Sequence, residues 1–321
     1  MPVRDDARVD VCSPVCGGDG AAVNGGGAHA CPTVSPGAAL TSFHEPEVRA
    51  AGNRRRMLFG IVLGVSALLI VAFAGRLVSD AATATDFAAK NLAPSLEHPF
   101  GTDWMGRDML LRTLAGLSTS IFVGLLAAVT SSLVALTLAS VAAFGGLRAD
   151  ALVTWLIDLV MGIPHIVLLI LISYALGKGF WGVTVGVALT HWPSLTRVLR
   201  AEILQCREQP FVAVSSHLGV GRMRLVLHHM LPYVLPQLIV GLVLMFPHAI
   251  LHEASITFLG FGLSPDQPAI GVILSESMSY LSAGMWWLAA FPGIALVACV
   301  ALFGLLGDLA RHLADAQTVQ E

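Results

Sequence analysis

Charge is what this sequence has least of. Asp, Glu, Lys and Arg make up 12% of its 321 residues, against roughly 25% in soluble domains. That deficit excludes an ordinary soluble globular chain and points to a protein that crosses a bilayer several times. Cysteine is scarce too. The five present include Cys206 in a polar stretch and Cys299 in an apolar one, which is no disulfide framework. No basic-aromatic cluster suggests nucleic acid, and a net charge of -3 adds nothing toward it. The sequence holds no GxxxxGKS/T phosphate loop, so ATP hydrolysis is not expected on this chain. GxSxG and HExxH are absent as well. Glu253 beside His252 has the wrong order for a zinc protease. Asp158, His191 and Glu253, the candidate groups for an intramembrane enzyme, have no catalytic spacing. No convincing internal repeat of broken helices supports an ion-coupled secondary transporter.

What is abundant is apolar sequence: 55% of residues are hydrophobic. Six spans long enough for ~30 Å of hydrocarbon can be counted. They are Met57–Val78, Thr119–Phe144, Ala151–Leu176, a short Phe180–Leu195, Leu235–Thr257 and Trp286–Leu306. All should be helical, because lipid cannot satisfy an open backbone. Placing both termini inside puts Arg4, Arg8, Arg49, Arg54, Arg55, Arg56, Arg148, Arg197, Arg200, Arg207, Arg222, Arg224 and Arg311 in the cytoplasm. Arg76, Lys90, Arg107, Arg112 and Lys178 fall outside. The positive-inside rule favours that orientation.

Residues 1–50 are rich in Gly, Ala, Pro and Ser with no apolar period, and read as a disordered cytoplasmic tail. No apolar core follows its first arginines, so it is not a signal peptide. Cys12, Cys16, His29, Cys31 and His44 offer soft and borderline metal ligands, but an incidental tail is the simpler reading. Residues 51–118 form a second region, the first span with an outside segment. The rest, 119–315, is a transmembrane domain holding a polar cytoplasmic loop, 196–234.

Three stretches carry a family resemblance. Ahead of the second span stands His98-Pro-Phe-Gly101-Thr102-Asp103-Trp-Met-Gly106-Arg107-Asp108, where the glycines and proline favour a fixed turn. Asp103, Arg107 and Asp108 can form an ion-pair and capping cluster there. Pro210–Pro236 is a basic island: a helical run over Glu202–Gly219 stopped by Gly219, a second basic helix over Arg222–His229, then Leu231-Pro232. Across the end of the fifth span runs Glu253-Ala-Ser-Ile-Thr-Phe-Leu-Gly-Phe-Gly262. Over residues 57–315 these resemble the C-type permease subunit of dipeptide, oligopeptide and nickel ABC importers. The resemblance implies an all-α, six-span, type I permease fold. It also implies a homologous B-type permease, two ATPase subunits that bind ATP, an extracytoplasmic substrate-binding protein, and a bacterial or archaeal cytoplasmic membrane with its lipid. This chain itself would carry no cofactor. The ATPase-coupling helix would lie at Val212, Ala213, Val214, Ser215, Leu218 and Gly219, with Leu231 and Pro232 following. The family's Glu-Ala-Ala triplet is replaced here by Ala213-Val214-Ser215.

Histidines bear on the cargo. His165, His191, His248 and His252 lie in or beside spans, and intramembrane ionisable residues default to function. His248 and His252 are i and i+4, on one helical face, with Pro247 loosening that turn. Two to four imidazoles suit a divalent transition metal. The cargo is therefore read as nickel, another transition metal or a metal chelate, with short peptides as the alternative.

Overall fold

The computed structural model describes residues 50–314. The proposed tail with its Cys and His residues lies outside the described residues, Ala50 aside. Among the described residues the secondary structure is helical, apart from one isolated antiparallel bridge between Thr102 and Asp108. An all-α membrane fold is therefore what the apolar pattern produces.

The first helix, α1 (Ala50–Leu77), is followed by a short α2 (Ser79–Thr83), a 3-10 turn and an irregular segment. Next comes α3 (Met109–Phe144), 36 residues long. At ~1.5 Å per residue it extends ~54 Å, well beyond ~30 Å of hydrocarbon. Thr119, the expected start of the second span, lies inside it. Along α3 the residues Gly116, Ser120, Gly124, Ala127, Ser131, Ala135, Ala139 and Ala142 are buried. Their spacing of three or four puts them on one face. Small side chains let neighbouring backbones approach closely, which is how helices associate where lipid removes the hydrophobic drive.

Around α3 pack α1, α6 (Gly179–Arg207) and α9 (Leu231–Phe258). A Cβ on Gly124 would sit 2.8 Å from Cγ1 of Ile250 on α9. On α1, a Cβ at Gly75 would collide with the Leu114 carbonyl oxygen and lie 2.5 Å from Cβ of Ser118. The Ser118 hydroxyl donates across this contact to the Ala72 carbonyl at 2.6 Å. The opposite side of α1 exposes Phe59, Leu63, Ile70 and Phe73, a surface suited to lipid rather than water. The last helices, α10 (Ile270–Leu281) and α11 (Trp287–Ala314), pack on each other and on α9.

The expectation of six spans is corrected in two places. Ala151–Leu176 is not one helix. It is α4 (Gly146–Met161) and α5 (His165–Ala175), bent by 92° across Gly162-Ile163-Pro164. Proline disfavours helix at the residue before it, and a glycine two positions earlier weakens the same turn. The fourth expected span belongs to the longer α6, whose second half carries Arg197, Arg200, Glu202 and Arg207. Among the described residues four helices are long and apolar enough to cross a membrane, or five if the bent pair counts as one.

The close contact of α1 with α3 yields a test. Gly75→Ala should destabilise the purified chain by roughly 1–3 kcal/mol, the usual effect of overpacking. Gly304→Ala, inside α11 with nothing within 4 Å of its Cβ, should be neutral or stabilise by up to about 1 kcal/mol. Thermal unfolding in detergent compares the two, and equal effects would refute the packing account.

Candidate functional site

Three places carry polar groups in an arrangement that apolar packing alone does not require. The first is the turn leading into α3. Gly106 adopts φ +78°, a conformation that favours glycine, and a Cβ there would collide with the Asp86 carbonyl. The turn aims Asp103 inward. Its Oδ1 accepts from the Met105 and Arg107 amides at 2.8 and 2.9 Å. Its Oδ2 accepts from Arg107 Nε and Arg112 Nη1, both at 2.6 Å. Both arginines reach on to Glu276 Oε2 of α10, at 3.3 and 3.0 Å. Two carboxylates and two guanidiniums thus form a closed, charge-balanced cluster, with Asp103 and Arg112 nearly fully buried. Asp108 does a separate job. It caps α3 by accepting from the Leu110 and Leu111 amides and lies 2.7 Å from His98 Nδ1. Thr102 Oγ1 accepts from the Leu92 amide at 2.9 Å, pinning the segment before the turn.

The second place is a cavity of about 750 Å³ between the bent pair, α6 and α9. It is lined by Val160–His165, by Thr190, His191, Pro193, Ser194, Leu195 and Val198, and by Gly241, Leu244, Met245, His248 and His252. None of these is Asp, Glu, Lys or Arg. The break before Pro164 places His165 at the first position of α5. There it meets His191 from the middle of α6 and His252 from α9. Ring centroids are 4.7 Å apart for His165 and His191, 4.4 Å for His165 and His252, and 5.1 Å for His191 and His252. His191 Nδ1 lies 2.8 Å from the Val187 carbonyl. A carbonyl only accepts, so Nδ1 carries the proton and Nε2 holds the lone pair. Next to His252, Glu253 turns away from the cavity into the bundle, fully buried, and accepts from the Thr257 hydroxyl at 3.0 Å.

The third place is α7 (Pro210–His217), beyond the end of α6. The expected single helix over Glu202–Gly219 is interrupted at Glu208-Gln209, because Pro210 restricts the residue before it and favours a helix's first position. Val212 is buried against the bundle, while Phe211, Val214 and Leu218 are exposed. Their i, i+3, i+7 spacing makes an outward apolar stripe. Gly219, at φ +80°, ends the helix as expected, and the Val220 amide donates back to the Ser215 carbonyl at 3.2 Å, a glycine-terminated cap. The second basic helix is shorter than expected: α8 covers Arg222–Leu225, and a π-helical stretch, Val226–Met230, runs directly into α9. Leu231 and Pro232 are therefore the first turn of α9. Pro232 lines a different, apolar cavity shared with α1, α3 and α11.

The structure brings His165, His191 and His252 together and leaves His248 exposed one turn away, outside the trio. The sequence reading paired His248 with His252 because both share α9, whereas the partners arrive from other helices. Gly101, Thr102, Asp103, Gly106, Arg107 and Asp108 all lie in the one turn. Missed were the roles of Arg112 and Glu276. Arg112 had a signal, being an arginine one turn inside an apolar helix; Glu276 lies 164 residues further on and had none. Ala213 belongs to α7, and the Ser215 hydroxyl donates to the Phe211 carbonyl within it.

Comparison with known proteins gives consistent results. A family model described as binding-protein-dependent transport system inner membrane component matches residues 135–319. A protein of Brucella suis biovar 1 (strain 1330), provisionally named a peptide permease, is 34% identical over 293 residues, covering 89% of this chain and 96% of that one. The dipeptide transport system permease protein DppC of Bacillus subtilis (strain 168) is 32% identical over 219 residues, 68% of each chain. Two chains from inward-facing structures of the MetNI methionine ABC transporter share the fold. Their TM-scores are 0.53 and 0.51 at 17% and 18% identity, each covering 64% of this chain and 97% of its own.

The buried cluster makes a specific demand. Arg112→Ala leaves Asp103 and Glu276 short of a partner and should cost about 3–5 kcal/mol, the usual result of breaking a buried ion pair from one side. Arg112→Ala with Glu276→Ala should recover part of that loss. A melting comparison of the single and double variants checks this, and a double variant less stable than the single one would contradict it.

Proposed function

The chain belongs to the binding-protein-dependent transport system inner membrane component family and is a permease subunit of an ABC importer, and from that premise we propose that its cargo is a short peptide. The observation that carries this reading is the naming of its relatives: a Bacillus dipeptide permease and Brucella proteins provisionally named peptide permeases. The cavity agrees. Its volume of about 750 Å³ lies within the ~300–1,000 Å³ typical of small-molecule sites. A wall without a fixed charge suits ligands whose ends carry both signs and whose side chains vary. The sequence reading put transition metal ahead of peptide. The relatives' names support the reverse order, and the histidine trio is what keeps a metal in view.

The remaining parts follow as expectations of the same proposal. The chain pairs with a homologous B-type permease, two ATPase subunits and an extracytoplasmic binding protein, in a cytoplasmic membrane with both termini inside. Arg197, Arg200, Arg207, Arg222 and Arg224 cluster in sequence around α7, which supports placing that end in the cytoplasm. The apolar stripe Phe211, Val214 and Leu218 is then free to dock on an ATPase subunit. A docking surface of that kind does not depend on the acidic residue that Ala213 replaces.

Movement of α7 has a route inward. Val212 anchors α7 to the bundle. Two ion pairs tie α6 to α4, Arg200 to Asp150 at 2.6 Å and Arg197 to Asp158 at 2.6 Å. The second pair is more than half exposed, so it guides geometry more than it adds stability. Displacing α6 and α4 together would shift the 162–164 break and reshape the cavity wall, the kind of two-state change that alternating access needs.

Uptake of a labelled dipeptide and of radiolabelled nickel, by cells lacking their own importers and expressing this chain with its neighbouring subunits, tests the cargo. Dipeptide accumulation is expected; nickel accumulation alone would overturn the peptide reading. Gly219→Val forces a β-branched residue to φ +80°, a strain on the order of 1–2 kcal/mol. It should reduce uptake several-fold while ATP hydrolysis by the assembled complex continues. Unchanged uptake would count against α7 as the coupling element.

A further inference from the structure

We propose that His165, His191 and His252 together bind one divalent ion of the late first transition row, such as Zn²⁺, Co²⁺ or Ni²⁺, with a coordination position left open to the cavity. Three helices distant in sequence deliver these imidazoles to one spot, where their ligand nitrogens lie within 4.8 Å of one another. Coordination at ~2.0–2.1 Å needs nitrogens roughly 3.3 Å apart in a tetrahedral site, so small ring movements close it. His191 is already set as a ligand. Its Nδ1–H is held by the Val187 carbonyl, which fixes the tautomer and turns the Nε2 lone pair outward, the arrangement that orients metal-binding histidines generally.

Packing alone explains the trio poorly. Nε2 of His165 and Nε2 of His191 are both buried without a hydrogen-bond partner among the described residues. Each such group costs about 1–3 kcal/mol when left unsatisfied. A single cation would satisfy both and His252 as well. Its class follows from the donors. Neutral imidazole nitrogens suit Zn²⁺, Co²⁺ and Ni²⁺, whereas Mg²⁺ and Ca²⁺ demand oxygen.

Among the described residues no carboxylate completes the set. Glu253 is committed to Thr257 inside the bundle, and the cavity lining holds no acid. Three protein ligands with an open fourth position distinguish a site that can take an outside ligand from a closed structural one. The exposed His248, one turn along α9, stands where an arriving ion would first be met. The site rests on its own geometry and not on the peptide reading.

The test uses the assembled transporter, with its partner subunits, in lipid nanodiscs titrated with Co²⁺. The unaltered protein should bind one ion per copy of this chain and develop the intense visible absorption of four-coordinate cobalt, which Zn²⁺ then displaces. His191→Ala and His252→Ala should each weaken binding by at least about 100-fold, no less than loss of an outer-shell partner. His252→Cys, which keeps a ligand atom, should retain binding. Only the pale spectrum of hydrated cobalt in the unaltered protein would overturn the proposal without recourse to any variant. So would tight binding that survives loss of His191 and His252. Dipeptide uptake by the same preparation separates the two readings. Uptake without cobalt binding defeats the metal site alone, and cobalt binding without dipeptide uptake defeats the cargo reading alone.

Discussion

Close approach to α3 is the constraint on which the rest of this structure depends. In hydrocarbon, helices gain nothing by hiding Leu from lipid, so they hold together through tight contact and occasional hydrogen bonds. The stripe from Gly116 to Ala142 supplies the contact, and Ser118 bonding the Ala72 carbonyl supplies one of the bonds. Because α1, α6 and α9 all pack on α3, α6 and α9 are held side by side with their inner faces toward the bent pair. The cavity is the space left between elements whose positions α3 has already decided. Arg207 extends the same logic to the end of α6, where its guanidinium bonds the Ala143 carbonyl near the end of α3.

Against that rigid centre, irregular backbone is confined to places where something other than lipid can satisfy it. The break at Gly162-Ile163-Pro164 faces the cavity, a setting in which non-helical chain is tolerated at membrane depth. The segment after α9 is tied down instead. The Ser173 hydroxyl donates to the Phe261 carbonyl at 2.9 Å, and the Gly179 amide donates to the Gly262 carbonyl at 3.0 Å. These bonds join the α5–α6 turn to the loop after α9, so the far ends of three helices are fixed. The Asp103–Arg107–Arg112–Glu276 cluster links the start of α3 to α10 in the same way. Pro210 and Gly219 bound α7, which buried Val212 ties to the bundle.

Local patterns were legible in the sequence, and long-range meetings were not. Apolar runs announced the helices, and Gly219 the end of α7. The turn at Asp103 could be read because its donors and acceptors lie within a few residues of one another. What escaped was set by tertiary packing. Glu276 joins the cluster only because α10 folds over α3. His165 and His191 join His252 because a 92° bend brings the start of α5 against α6 and α9. Helical periodicity is blind to such meetings, which is why it favoured His248, a neighbour on the same face, over the partners the fold supplies. The extent of α6 was misjudged for a related reason. A hydropathy pattern ends at the first arginines, whereas the helix continues, with Arg197 and Arg200 paired to α4.

Placement of charge then separates the working parts of the molecule. Among the described residues, ion pairs join the turn before α3 to α3 and α10, and α4 to α6, while the residues lining the cavity include no Asp, Glu, Lys or Arg. A fixed charge on that wall would hold an opposite charge strongly in so apolar a setting, and a ligand held that strongly is slow to leave. Imidazole escapes the difficulty. It offers a lone pair or a proton without a permanent charge, so it can recognise a ligand and still let it go. A wall of backbone, hydroxyls and histidines thus offers polar contacts without a permanent charge. The paired charges sit instead at the turn, on α3 and α10, and between α4 and α6, where they hold one helix to another.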